Sequence, residues 1–232
     1  MRNLIYIPII HSSGDMGSMA AELTQKSIDE FGEEFWKTHT ATVNEYWEVI
    51  RTYCDTIDFR GKTVKIYQDG MVADGDIALK IMEDSVKAGS KNYEIIAKLV
   101  NRGAIIMKTE DLSMVRKELE MLKSIPSSGT LIMKVIRIIR FKISRHKLLV
   151  DRDKFMAERI DVTLEQNEIG IIFIGAYHHI LDKLRKDIAV KEVKEISKIR
   201  RYQKLLPFHK KRKRLFKELS NYLTQHVSYK PD

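Results

Sequence analysis

The sequence predicts an α/β fold: a three-layer sandwich with a mostly parallel sheet of four to five strands, a long helical crossover and a basic helical C-terminal region. Four short runs rich in isoleucine or valine alternate along the chain with longer stretches of helical periodicity. None of these runs alternates apolar with polar residues, as a half-exposed antiparallel strand would, so each should be buried on both faces. Buried strands separated by helices are typical of parallel βαβ units.

Each predicted strand is an apolar run of strand length that gives way to polar residues. The first begins at Leu4 and ends before His11, and the fourth is the run GIIFIGA. Branched aliphatic residues favour extended backbone, which supports the assignment. The fifth run, IAVKEV, mixes charged with apolar residues and suits an edge strand. The predicted strands are residues 4–10, 63–68, 104–108, 170–176 and 188–193.

Apolar residues three and four positions apart predict helices after the first, second, third and last strands. Gly89-Ser90 separates two of them, and Ile125-Pro126 ends another. We interpret the long third interval as a subdomain or cap. We therefore expect an α/β domain over residues 1–194, containing the helical crossover 112–165, and a basic helical extension over 195–232. The predicted helices are residues 27–55, 76–88, 92–102, 112–124, 130–147, 152–165 and 195–226, the last of these as one or two helices interrupted near Pro207.

Composition and cysteine content restrict the class of protein. A chain of 232 residues with 44% hydrophobic residues can bury a full core. The single cysteine, Cys54, excludes an intramolecular disulfide and a multi-cysteine zinc site, and it fits a reducing compartment. The N-terminus lacks the longer apolar region of a signal peptide, and no run approaches the ~18 apolar residues of a membrane span. We expect a cytoplasmic protein.

The net charge of +9 is concentrated in two basic segments, and the rest of the chain is net acidic. No acidic residue interrupts 121–150 or 200–217. Uncompensated cations of this density predict binding of nucleic acid or another polyanion. The alternative is a solvated basic helix, or an amphipathic helix that lies on an acidic partner or membrane surface. The residues predicted to contact nucleic acid are Lys210, Lys211, Arg212, Lys213 and Arg214.

Imidazole or carboxylate side chains follow each of the four strong strands where it ends. The residues in chain order are His11, Asp69, Glu110 and His178. Ligands of open parallel sheets lie beyond the carboxyl ends of the strands, so we expect these four side chains to converge on one catalytic pocket. In the structural alternative, Asp69-Gly70 is an ordinary turn and Asp15 is a helix cap.

Histidine and carboxylate side chains that converge in this way suggest two kinds of chemistry. Two neutral imidazoles and a carboxylate can hold Zn²⁺, Mn²⁺ or Fe²⁺ and leave a position open for a water nucleophile. Without a metal, a histidine and a carboxylate can share acid and base catalysis. The predicted ligands of such a divalent metal are His11, Glu110 and His178.

The predicted substrate-binding residues come from the loop HSSGDMGS after the first strand and from the helix before the fourth. The serines and backbone N–H groups of the loop can hold a phosphate. The helix runs antiparallel to the fourth strand, so Arg152 should lie near His178 as an anion ligand. No zinc-protease, α/β-hydrolase, P-loop or dinucleotide-binding motif occurs. The predicted substrate-binding residues are Ser12, Ser13, Asp15 and Arg152, with Asp15 and Arg152 at the margin of the pocket.

Three stretches resemble a family of uncharacterised prokaryotic proteins: an IPIIH…DMGS opening, a middle YQDG…GS.NY…GA…TED and a late RD.F.A.RI..TL…E.GIIFIGA.H. This resemblance spans most of residues 4–179 and implies no known function. More distantly, the chain is similar to the TraB, Tiki and erythromycin-esterase-like superfamily of metal-dependent hydrolases. Its members pair an early with a late G-x-x-H and add buried glutamates. Here the late motif is Gly175-Ala-Tyr-His178, the early one reads Pro8-Ile-Ile-His11, and Glu110 is placed like a site glutamate.

We therefore predict a metal-dependent hydrolase that acts on an anionic, nucleotide- or nucleic-acid-like substrate at the carboxyl edge of the sheet. The alternative is a non-catalytic module that binds nucleic acid or a phosphorylated ligand and in which both histidines are structural. Metal content separates the two predictions, because only the first requires His11 and His178 to hold an ion.

Overall fold

A five-stranded parallel sheet forms the centre of the molecule. The computed structural model describes residues 1–12, 15, 20–123 and 131–227, with the backbone alone for 20, 23, 119, 121–123 and 131–145. The strand order is β3-β2-β4-β1-β5, and each neighbouring pair is parallel. This arrangement confirms the predicted α/β sandwich. The strands are β1 (Arg2–Ile9), β2 (Val64–Gln68), β3 (Ile105–Met107), β4 (Ile169–Gly175) and β5 (Ile188–Glu192).

The central strand β4 is buried on both faces, as its apolar sequence predicts. Its residues from Ile171 to Ile174 are fully buried. It pairs with β1 on one side, where Gly175 lies opposite Ile9, and with β2 on the other, where Phe173 lies opposite Gln68. The carboxyl ends of these strands therefore meet at one edge of the sheet.

Eight α-helices surround the sheet within the described residues. The chain also forms short 3₁₀ helices at Leu181–Lys183 and Leu206–Phe208. None of these helices combines the length and apolar character that crossing a membrane requires. The α-helices are α1 (Ala20–Phe31), α2 (Glu33–Asp55), α3 (Gly75–Lys87), α4 (Lys91–Asn101), α5 (Leu112–Lys123), α6 (Leu131–Thr163), α7 (Ile196–Leu205) and α8 (Lys213–Thr224).

Two helix boundaries differ from the prediction. The predicted helix 27–55 is divided between α1 and α2 at Gly32, whose φ of 91° lies in the left-handed region that glycine adopts without a Cβ clash. In contrast, the predicted helices 130–147 and 152–165 form the single helix α6. The sequence between them contains neither glycine nor proline, so nothing in it interrupts the backbone hydrogen bonds.

The helices form a layer on each face of the sheet. On one face, α2 contacts α4 and α8, and α3 contacts α4, whereas α5 contacts α6. Right-handed connections place α5 and α6 on the opposite face, because the chain reverses its direction across the sheet after β3. Apolar side chains of the C-terminal helices, including Ile199, Tyr202 and Phe216, belong to the same buried cluster as the strands. The C-terminal helices therefore complete the core of the sheet domain.

Helix α6 runs antiparallel to β4 and reaches both edges of the sheet. At the amino edge, the Arg2 guanidinium donates to the carbonyl oxygens of Asp161 at 2.6 Å and Leu164 at 3.1 Å. Asp153 lies eight residues before Asp161, which is about 12 Å along a helix. Arg152 and Asp153 are thereby carried to the carboxyl edge, where β2, β3 and β4 end.

Candidate metal centre

Three side chains that follow neighbouring strands converge at the carboxyl edge of the sheet. Asp69 follows β2, Glu110 lies three residues after β3, and His178 lies in the turn after β4. One ligand atom from each lies within 4.8 Å of the others, and no other His, Cys, Asp or Glu group among the described residues meets that criterion. Glu110 is fully buried and His178 is 6% exposed. We call these three residues the carboxyl-edge triad. All three are among the four predicted catalytic residues.

Asp69 links β2 to the turn after β4. Its Oδ2 accepts the Gly175 N–H at 3.1 Å and lies 3.2 Å from Nε2 of His178. A Cβ on Gly175 would lie 3.2 Å from the same oxygen, so glycine allows this close approach. Burial alone would raise the pKa of Asp69, but the neighbouring His178 and Arg152 hold it well below its ordinary value. Asp69 is therefore an ionised acceptor.

His178 is held between two carboxylates. Its Nδ1 lies 2.5 Å from Oδ1 of Asp153, while its Nε2 faces Asp69. The second oxygen of Asp153 accepts the backbone N–H of His179 at 2.8 Å, which fixes the turn against α6. Burial opposes the charged imidazole, yet Asp69 and Asp153 together raise the pKa of His178 to about 9. Without a metal, the ring is an imidazolium at neutral pH.

Arg152 lies at the centre of the site, although the sequence places it at the margin. Its Nε is 3.1 Å from both carboxylate oxygens of Glu110, and its Nη2 is 2.5 Å from Oε1 of Glu110 and 2.9 Å from Oδ1 of Asp69. Its Nη1 donates to Glu118 of α5. The guanidinium is thus committed to three carboxylates. The prediction that Arg152 is a marginal anion ligand is corrected in this respect.

Of the two triad carboxylates, Glu110 has a raised pKa, whereas Asp69 has a lowered one. Glu110 is fully buried, and desolvation raises its pKa to about 7 although the Arg152 guanidinium acts in the opposite direction. A carboxyl group that titrates near neutral pH can accept or donate a proton during a reaction. Glu110 therefore suits either metal coordination or acid-base catalysis.

His11 lies outside the carboxyl-edge triad. Its side chain is 54% exposed, and Nδ1 lies 3.9 Å from Oδ2 of Asp15. The reason is the direction of the chain after β1. The Tyr46 hydroxyl and the Trp47 indole of α2 donate to the carbonyls of Pro8 and Ile10, which draws the chain toward the α2 face. Arg152 and Asp153 approach from α6 on the opposite face, so the predicted convergence fails for His11.

The remaining predicted loop residues form a separate polar group. Asp15 accepts the Ser12 N–H at 2.6 Å and the Ser12 hydroxyl at 3.0 Å, and it also accepts the hydroxyl of Ser90 before α4. Ser13 lies outside the described residues. Asp15 therefore closes the loop onto the α3–α4 connection rather than lying at the margin of the triad.

Two residues of the site were not among the predicted ones. Asp153 is adjacent to Arg152, and the direction of α6 indicates that both lie near His178, but the Nδ1 contact depends on side-chain geometry. Glu118 lies on α5 one helical turn and a half after Leu112, and its sequence context resembles that of any exposed helical glutamate. Only the packing of α5 on α6 brings it to Arg152.

The second predicted site, Lys210 to Arg214, lies between the last 3₁₀ helix and the first turn of α8. All five side chains are exposed. Arg214 forms a surface ion pair with Glu218 at 2.9 Å. In the other basic segment, 121–150, the side chains of residues 131–145 are not among those that the structure describes.

Comparisons with models of known protein families, with curated proteins and with solved structures found no match. What supports a function is therefore the arrangement of the side chains themselves. The carboxyl-edge triad, with Asp153 and Arg152 around it, is the feature that carries chemistry.

Proposed function

We propose that the protein is a metal-dependent hydrolase whose divalent cation, Zn²⁺, Mn²⁺ or Fe²⁺, is held by the carboxyl-edge triad. The observation that carries this proposal is the approach of one imidazole and two carboxylates, from three strand ends, to within 4.8 Å of one another. Mixed nitrogen and oxygen ligands suit these metals, and three protein ligands leave a position for water and substrate.

The charges around the triad favour a cation. Asp69, Glu110 and Asp153 supply three carboxylates around His178, against the permanent cations of Arg152 and of Lys183, whose Nζ lies 3.9 Å from Oδ2 of Asp153. Metal coordination requires a neutral His178, which removes the charge of the imidazolium. A divalent ion would then compensate the carboxylate charge that Arg152 and Lys183 leave.

The surrounding residues would have distinct tasks in such a centre. A metal supplies a bound water whose pKa falls toward 7 and an electrophile for the substrate oxygen. Asp153 accepts the Nδ1 proton of His178 and so presents Nε2 to the triad, as carboxylates commonly do for metal-binding histidines. Arg152 fixes the orientation of Asp69 and Glu110.

Metal content tests this proposal. After loading with Zn²⁺, Mn²⁺ or Fe²⁺ and removal of excess metal, we expect about one ion per chain by elemental analysis. His178→Gln and Glu110→Gln should each lower this content at least tenfold, and a chelator should abolish hydrolysis of aryl ester and phosphodiester substrates.

His11→Ala is the matched control, because His11 is a histidine at a strand end outside the triad. It should keep its metal. Circular dichroism of each variant separates loss of metal from loss of fold. A folded wild-type protein that retains none of the three metals would contradict the proposal, and so would equal losses in His11→Ala and His178→Gln.

The proposed anionic substrate rests on the basic segments, and the exposed Lys210 to Arg214 also support the alternative of a nucleic-acid-binding module. Replacing all five with glutamine should weaken binding of fluorescent single-stranded DNA at least tenfold and flatten its salt dependence, because each lost phosphate contact removes released counterions. The control replaces five exposed lysines elsewhere with glutamine: Lys26, Lys37, Lys62, Lys80 and Lys87. Equal effects of the two variants would contradict a specific basic site.

A further inference from the structure

The connection between α7 and α8 carries one exposed aromatic ring beside its cations. Residues 208–214, which we call the basic turn, run from the end of the second 3₁₀ helix into the first residues of α8. Phe208 is 54% exposed, and no other large apolar side chain in the stretch 196–224, all of which the structure describes, is exposed. Two positions later begin the five exposed basic residues, Lys210 to Arg214.

Hydrogen bonds and ring stacking fix the conformation of the basic turn. The carbonyl oxygen of Phe208 accepts the N–H groups of Lys211 at 3.0 Å and of Arg212 at 2.9 Å. The next ring along the chain, His209, stacks on Phe35 of α2 with 3.5 Å between the ring centroids. Because its neighbours are anchored, Phe208 is presented to solvent on an ordered turn, and a partner that contacts it has little backbone to order.

The cations of the basic turn do not stabilise the helix that they precede. Positive charges near a helix N-terminus face the positive end of the helix dipole, which is unfavourable. The first turn of α8 contains no acidic residue, and no side chain caps it. Arg214 pairs with Glu218, but among the described residues no carboxylate lies at ion-pair distance from the other four cations. An external polyanion would therefore relieve a repulsion that the fold leaves in place.

The apolar faces of α7 and α8 are already buried, which argues against a membrane as that polyanion. A helix that lies on a membrane inserts its apolar face among the lipids. The basic turn thus offers one aromatic ring and several cations, with no further apolar surface for lipid. The residues of the two helix faces that belong to the buried core are Ile196, Ile199, Tyr202, Phe216, Leu219 and Leu223.

We propose that the basic turn binds single-stranded nucleic acid, with a base stacked on the Phe208 ring and the adjacent phosphates held by Lys210 to Arg214. Proteins hold single strands with aromatic rings and cations, because every base has a face that can stack and every nucleotide carries a phosphate. In a duplex the neighbouring bases cover both faces, so Phe208 can contribute only to a single strand. This inference concerns the predicted polyanion site and does not rest on the metal centre.

The test measures the fluorescence anisotropy of a labelled oligothymidine, and of a labelled duplex of the same length, with the metal-free protein. We expect the single strand to bind at least fivefold more tightly. A purely electrostatic surface would favour the duplex, whose charge density is higher. Phe208→Ala should weaken binding of the single strand at least fivefold and remove the preference, because one stacked base is lost. The salt dependence of binding should stay unchanged, since the ring releases no counterions.

Two further variants make the test specific to an aromatic ring at this position. Phe208→Trp should retain the affinity, and the tryptophan fluorescence that it adds to that of the wild type should be quenched by the oligothymidine. Ile77→Ala removes an apolar side chain that is 65% exposed on α3, and it should change neither affinity nor preference. The Phe208 variants should remain folded, because more than half of the ring lies in solvent.

Four outcomes would overturn the proposal: no binding of the oligothymidine, a preference for the duplex, equal effects of Phe208→Ala and Ile77→Ala, and binding of phosphatidylserine vesicles without binding of the oligothymidine. The last outcome would make the basic turn a membrane contact. Because the titrations use metal-free protein, a failure to bind oligothymidine does not bear on the metal centre, and a failure to retain metal does not bear on the basic turn.

Discussion

Replacing Arg152 with methionine is expected to lower the free energy of unfolding by about 3–5 kcal/mol, the usual range for one partner lost from a buried ion pair. The Arg152 side chain is 8% exposed and contacts Asp69, Glu110 and Glu118. Methionine fills a similar volume but removes the ion-pair partner that the buried Glu110 has among the described residues, and one partner each of Asp69 and Glu118. Chemical denaturation of the metal-free protein at pH 7 gives the measurement.

Two further variants show whether the loss arises from unpaired charge. The Arg60 side chain is 92% exposed and forms a surface ion pair with Asp58. Arg60→Met should therefore change the free energy of unfolding by less than about 0.5 kcal/mol. Adding Glu110→Leu to Arg152→Met should recover part of the loss, because it removes one stranded carboxyl group. A loss below about 1 kcal/mol for Arg152→Met would show that the network does not stabilise the fold.

His178 alone should lower the free energy of unfolding of the metal-free protein by about 3 kcal/mol between pH 6.5 and pH 9. This figure follows from the shift of the His178 pKa, because each pKa unit corresponds to about 1.36 kcal/mol. The pKa of His178 is raised from 6.5 to about 9 in the folded state. The folded protein therefore binds this proton more tightly than the unfolded chain does. The stabilisation is complete below pH 6.5 and is lost as the pH rises through 9.

Other groups add to the pH profile, so the difference between wild type and His178→Gln is the quantity to measure. Glu110 acts in the same direction at lower pH, since burial raises its pKa from 4.5 to about 7. Lys194 acts in the opposite direction above pH 8, because burial lowers its pKa to about 8. Lys194 cancels in the difference, and Glu110, on whose pKa His178 acts, has lost its proton at a pH above its own pKa, where the comparison therefore isolates His178. Denaturation curves from pH 6 to 10 that run parallel for the two proteins would contradict the account.

The fold could be predicted from the sequence because its strands are local apolar runs. The sequence GIIFIGA is rich in branched aliphatic residues and has no alternating polar positions, and that pattern suffices to identify a strand buried on both faces. Its position at the centre of the sheet is not a local property. The predicted break between 147 and 152 is wrong for a local reason, since the sequence there has neither glycine nor proline to interrupt a helix.

The site could be predicted as far as it depends on strand ends. Asp69, Glu110 and His178 converge because β3, β2 and β4 are neighbours with aligned carboxyl ends. His11 follows the same rule in sequence, yet hydrogen bonds from α2 draw its loop to the other face. Which face a loop turns toward is set by such tertiary contacts. The spacing of residues along the sequence does not predict these tertiary contacts.

Anomalous diffraction from crystals grown with Zn²⁺ tests the metal centre most directly. We expect one strong peak about 2.0–2.2 Å from Nε2 of His178 and from oxygens of Asp69 and Glu110. Asp153 should still contact Nδ1 of His178. A peak at His11 instead, or no peak with the Arg152 guanidinium still bridging Asp69 and Glu110, would contradict the proposed metal centre and leave the triad as an ion-pair network closed by Arg152.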